Sequence, residues 1–101
     1  MKILLWNCNN GISKQTQIDY FKSFKCDLAV IPELKKHNIE ILNPSSSIWI
    51  TNNFENKIPK GLGVLGFNNV QLELLPSDED MEIYIPVEVK TSKLNFTLLA
   101  V

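Results

Sequence analysis

The sequence predicts a mixed α/β chain of the α+β kind: a mixed, mostly antiparallel sheet carrying one main helix. Two observations carry the parallel part. The unbroken apolar runs Ile3-Leu4-Leu5-Trp6 and Leu28-Ala29-Val30-Ile31 read as buried strands, and the amphipathic segment between them can serve as a crossover helix. A third observation carries the antiparallel part. After residue 47 the chain becomes a series of short strand-like segments broken by Asn, Pro and Gly, the pattern of a meander.

Taken in order, residues 2–8 form the first strand, because four large apolar residues run together without alternation. Asn9, Asn10 and Gly11 break it. Ser13 is placed to cap a helix whose apolar positions Ile18, Phe21 and Phe24 recur every three residues, with Lys22 and Lys25 complementing its C-terminal dipole. Residues 27–32 form the second buried strand, which Pro32 is expected to end. From Lys35 to Ser47 the chain is polar and reads as loop or a short irregular helix, with Asn43-Pro44 as a break. Ile48–Ile50 is a short strand and residues 52–61 a polar loop. Leu62–Phe67 and Val70–Leu75 flank Asn68-Asn69, a two-residue hairpin signal because Asn tolerates positive φ. From Met81 to Val89 apolar and polar residues alternate, giving a strand with one wet face, and Pro86 argues for an edge or a bulge. Leu94–Val101 is a last strand whose final four residues are apolar on both faces. A single sheet packed on one helix would leave its other face bare, so a further layer is required: a second sheet, more helix, or another chain.

Bulk properties narrow the function. The 101 residues suit one domain with a real core. Ten lysines, no arginine and eleven acids give a net charge of −1, which excludes wholesale electrostatic capture of nucleic acid. Phosphate contacts would have to come from lysine, backbone amides or a metal. Cys8 and Cys26 are too sparse for a disulfide framework or a metal cluster and fit a reduced interior. No apolar stretch approaches the ~18 residues of a membrane span, and the start MKILLW lacks the long apolar region and cleavage site of a signal peptide. The expected location is cytoplasmic, with no membrane partner.

Two residues stand out chemically. The first strand delivers Asn7 and the second delivers Glu33. Parallel strands joined by a crossover end at the same sheet edge, where ligands bind in open α/β sheets. A carboxylate directly after a buried strand must be solvated, paired or bound to metal, and magnesium accepts one or two carboxylates while keeping water and room for phosphate. Other candidates are bland. Lys35, Lys57 and Lys60 read as solvated loop lysines, Trp6 and Trp49 as core or interface, His37 as an exposed loop histidine and Ser45-Ser46-Ser47 as loop. The acidic run Ser77-Asp78-Glu79-Asp80 lacks the ligand spacing of a calcium loop.

Trp6-Asn7-Cys8-Asn9 followed closely by Gly11 resembles the W-N-x-N-G opening of the endonuclease/exonuclease/phosphatase superfamily, the exonuclease III-like and DNase I-like enzymes. Asp27–Lys35 is similar to that family's D-I-x-x-x-Q-E-x-K motif, Gly61-Leu62-Gly63-Val64-Leu65 to its glycine-rich strand, and Asn95–Val101 to the strand after it. The resemblance implies half of a four-layer αββα sandwich, with residues 1–101 as the N-terminal part of a single, truncated domain. It implies that Glu33 binds a catalytic Mg2+ (or Mn2+) and that Asn7 helps position the metal, its waters or the scissile phosphate. The implied activity is hydrolysis of a phosphodiester, in nucleic acid for the full-length parent, by metal-activated water. Two departures are local: Asn10 is an extra residue before Gly11, and Pro32 replaces the usual Gln. A larger one is that nothing matches the family's aspartate–asparagine pair or its late Ser-Asp-His motif. The 101 residues alone are therefore expected to have little activity. Alternative readings are a small-molecule phosphatase of the same superfamily, and a non-catalytic assembly module that self-associates through its C-terminal strand.

Overall fold

The computed structural model describes residues 1–7, 12–51, 60–76 and 85–100. They build seven strands in two sheets and two helices, a mixed α+β fold. The order is β1 (Ile3–Leu5), α1 (Gln15–Ser23), β2 (Leu28–Lys35), α2 (Lys36–Leu42), β3 (Ser46–Ile50), β4 (Lys60–Gly66), β5 (Gln71–Leu74), β6 (Ile85–Lys90) and β7 (Asn95–Ala100). The first sheet runs β1-β2-β4-β3, with β1 parallel to β2 and the other pairs antiparallel; the second runs β5-β6-β7 and is wholly antiparallel.

β2 is buried on both faces, and that makes three layers. Ala29, Ile31 and Leu34 join Ile18 and Phe21 of α1 and Leu42 of α2 in one core. Leu28 and Val30 point the other way and meet Val87 and Val89 of β6 and Ala100 of β7 in a second core. The layer that the bare sheet face demands is thus supplied by the chain's own second sheet. Each fully buried Leu, Ile or Val contributes roughly 1.5–3 kcal/mol, so these two cores hold the fold.

Several expectations are corrected. α1 is not capped by the Ser13 hydroxyl: its N-cap is Lys14, and Gln17 Oε1 accepts the amides of Ser13 and Lys14 at 2.9 and 3.0 Å. The segment 36–42 is a regular helix. Asn68 and Asn69 do form a left-handed turn, with φ of 56° and 68° and Val70 N donating to Phe67 O at 3.1 Å. The flanking strands do not pair, however. β4 already has β2 on one edge and β3 on the other, so β5 must leave for the second sheet. Pro86 sits in a central strand rather than at an edge. Its carbonyl accepts Leu75 N at 3.0 Å, so its nitrogen faces that same side, where the paired part of β5 has already ended at Leu74. Cys8, Asn9, Asn10, Gly11, Lys57, the run 77–80, the start of the alternating strand at 81–84, and Val101 lie outside the described residues.

One carboxylate ties three segments at the base of the first sheet. Asp27 Oδ2 accepts Lys2 N at 2.9 Å, and Asp27 Oδ1 accepts Asn68 Nδ2 at 2.9 Å. The backbone amide bond from Lys2, then the side-chain amide bond from Asn68, holds the carboxyl below its ordinary value of 3.8. The stability it adds is therefore complete above pH 3.8 and is lost as pH falls through the lowered folded value. Acid titration of Asp27→Asn is expected to show a shallower fall in thermal midpoint below that pH than the parent shows.

Candidate functional site

Asn7 and Glu33 lie at the same end of the β1–β2 parallel pair. Ile3 is paired with Leu28 and Leu5 with Val30, and Trp6 N donates to Val30 O at 3.1 Å. Continued by two residues, that register sets Asn7 level with Pro32, one position short of Glu33. Both residues are exposed at this edge. Trp6 beneath them is half-buried and stacks on Phe21 with ring centroids 5.7 Å apart, which anchors the end of β1 in the helix-side core.

Glu33 does not follow the end of β2; it interrupts it. The strand passes through Pro32 and continues to Lys35, pairing Ile31 with Gly63 and Leu34 with Gly61. Pro32 and Glu33 therefore oppose the single residue Leu62, a β-bulge. Proline's missing donor falls where the ladder is already broken. Glu33 has φ of 59°, a left-handed conformation that glycine adopts freely and a Cβ-bearing residue adopts at a cost on the order of 1 kcal/mol. The bulge turns an acidic side chain out of a strand that is otherwise buried.

The residues just after the bulge hold it in place. The fully buried Leu34 side chain occupies the space over Gly63: a Cβ there would lie 2.5 Å from Leu34 Cδ2. Trp49 Nε1 donates to the Leu34 carbonyl at 2.8 Å. Asn38, fully buried at the third position of α2, accepts Lys35 N at 3.2 Å and Ile12 N at 3.1 Å through Oδ1 and donates from Nδ2 to Ile12 O at 2.6 Å. One amide thus fastens the chain two residues after Glu33 to the chain five residues after Asn7.

The other candidates separate. Lys35 contributes its backbone amide to this clamp, and His37 is exposed on α2 beside the buried Asn38. Ser45 and Ser46 donate their hydroxyls to the carbonyls of Gly66 and Val70, as structural braces. Cys26 is buried and free. Asn38 and the bulge escaped sequence reasoning. The usable signals were Pro32 inside a strand pattern and an Asn three residues after Lys35, the spacing of a side chain that caps a helix start. Among the described residues no three His, Cys, Asp or Glu side chains gather, and no helix is long and apolar enough to cross a membrane.

Two substitutions separate strain from support. Glu33→Gly relieves the left-handed φ and is expected to leave the fold as stable as the parent or to stabilise it by up to ~1 kcal/mol in chemical denaturation. Asn38→Ala leaves buried backbone groups of Ile12 and Lys35 without partners. It should lower stability by about 3 kcal/mol, a thermal shift of more than ~10 °C for a domain this size.

No protein-family model, curated protein or solved structure matches the chain.

Proposed function

We propose that the chain is the N-terminal part of a cytoplasmic, divalent-metal-dependent phosphoesterase, a nuclease of the endonuclease/exonuclease/phosphatase superfamily. The observation that carries this reading is Glu33: an exposed carboxylate in a left-handed bulge, at the end of the β1–β2 parallel pair where Asn7 also lies. Strained backbone of this kind persists where the surroundings over-determine it, and it gathers at functional sites. The resemblance of the sequence at 6–11 and 27–35 to the family's motifs supports this reading, and the layered helix–sheet–sheet order is compatible with part of an αββα sandwich.

The donor set fits magnesium. A carboxylate and an amide oxygen are hard ligands, and this ion takes few protein oxygens, keeping waters and places for phosphate. Glu33 would hold Mg2+ or Mn2+, and Asn7 would orient its water or a phosphate oxygen. When bound, the metal supplies an activated water and stabilises charge on the phosphorus oxygens. The chain's own part is to fix these two side chains, Asn7 just past the end of β1 and Glu33 in the bulge of β2, through the bulge supports and the Trp6 stack. A general base, and further ligands to support a metal, would have to come from residues other than Asn7 and Glu33.

In the parent enzyme, Glu33→Ala is expected to lower magnesium-dependent hydrolysis of DNA or RNA on the order of 10³-fold, the several kcal/mol a metal gives the transition state. Its thermal midpoint should stay unchanged. Wild-type turnover in that variant would sink the assignment. For the 101 residues alone, Mn2+ should broaden the NMR signals of residues 5–7 and 31–35 in the wild type and not in Glu33→Gln.

A second reading, an assembly module, is favoured by edge strands that expose apolar side chains. Among the described residues β7 pairs with β6 alone and carries Leu99 at 58% exposure, and β1 pairs with β2 alone and carries Leu5 at 74%. Analytical ultracentrifugation decides it: a magnesium-independent dimer at micromolar concentration supports edge pairing, and a monomer removes it.

A further inference from the structure

We propose that the recess between the C-terminal ends of α1 and α2 and the β4–β5 turn binds a small amphiphilic anion, with a flat ring or short acyl body and one acidic head. It lies at the opposite end of β2 from Glu33, seven residues and roughly 20 Å away along the strand, so it is independent of the hydrolytic site.

The recess encloses about 370 Å³, within the range of small-molecule sites. Its floor is apolar: Phe21, Cys26 and Leu42 are buried, and Phe67 is half-buried with its ring 5.7 Å from that of Phe21 at a tilt of 53°. Its rim is polar and exposed, formed by Lys22, Lys25 and Asn68. An apolar floor below two ammonium groups matches an apolar body below an anionic head.

The charges around the recess favour the anion. Among the described residues neither Lys22 nor Lys25 makes an ion pair. The nearby carboxylate, Asp27, is turned to the amides of Lys2 and Asn68, which occupy both of its oxygens. The carbonyl end of α1 offsets part of the positive charge of Lys22, since a helix C-terminus carries partial negative charge. Lys25, one residue past the C-cap, lies beside the same carbonyl end, its amide donating to Lys22 O at 3.2 Å. It sits with φ of 49° in the left-handed position that closes the helix, on the exposed rim of the recess.

Cys26 on the floor is the reporter. Burial pushes its thiol up, so its slow reaction with a methanethiosulfonate reagent is readily followed in a Cys8→Ser background. Naphthoate and naphthylmethylamine share a ring and differ in charge. Naphthoate at ten times its Kd should slow Cys26 modification roughly tenfold by mass action, while the amine leaves the rate unchanged. Reversing the rim with Lys22→Glu and Lys25→Asp should weaken naphthoate by ~10-fold or more, the effect of two nearby charges at the surface. Both lysines are exposed and aspartate tolerates left-handed backbone, so that variant keeps the fold. The comparison of acid with amine on the unreversed protein stands even if it does not. Equal protection by acid and amine, no protection by millimolar naphthoate, or a pair of chains closing over the recess in ultracentrifugation each overturns the proposal.

Discussion

Everything in this molecule hangs on β2 being buried on both faces. A strand with one wet face would need one partner layer; this one needs two, and the chain supplies helices on one side and a second sheet on the other. The demand explains why β2 has no alternation of apolar and polar residues. It also explains why β4, flanked on both edges, must hand the chain to another sheet through Asn68-Asn69. A strand enclosed in this way has no room for a carboxylate, except where its ladder is broken.

The bulge is that break, and its neighbours show why it is stable. A left-handed glutamate is unfavourable by itself, yet Leu34, Trp49 and Asn38 each fix the backbone directly after it. Two of these supports depend on glycine: Leu34 can lie over β4 only because Gly63 has no side chain, and a Cβ on Gly61 would lie 2.9 Å from the Trp49 ring. The glycine-rich strand therefore serves the geometry around Glu33 as well as the packing of its own sheet.

Much of the architecture was legible in the sequence, because its signals are local. The apolar runs at 3–6 and 28–31, the Asn-Asn turn and the alternation through Val89 each follow from the backbone and side-chain period of a short segment, although the first run reads as a buried strand and is in fact an edge strand with Ile3 and Leu5 exposed. What was hidden depends on distant partners. Nothing between residues 62 and 75 reveals that both edges of β4 are taken, so the turn reads as a hairpin. Pro32 reads as a stop because a proline in a ladder loses a donor, and only the register against β4 shows the strand resuming beyond it. Of the candidate site, the edge that Asn7 and Glu33 share could be read from the crossover. The Asn38 amide could not, since its partners at Ile12 and Lys35 are brought together only by the finished fold.

The way the chain divides between its sheets also bears on the order in which it folds. In the second sheet Lys90 faces Asn95, five positions away, across a turn in which Thr91 N donates to Leu94 O. In the first sheet Val30 must find Val64, 34 positions on. Loop-closure entropy makes the near pairing fast and the distant one slow, so the β6–β7 hairpin is the natural nucleus and β2 is the late arrival. The strand that presents the glutamate is thus held by the pairings whose closure costs the chain the most entropy, and its order depends on both cores at once.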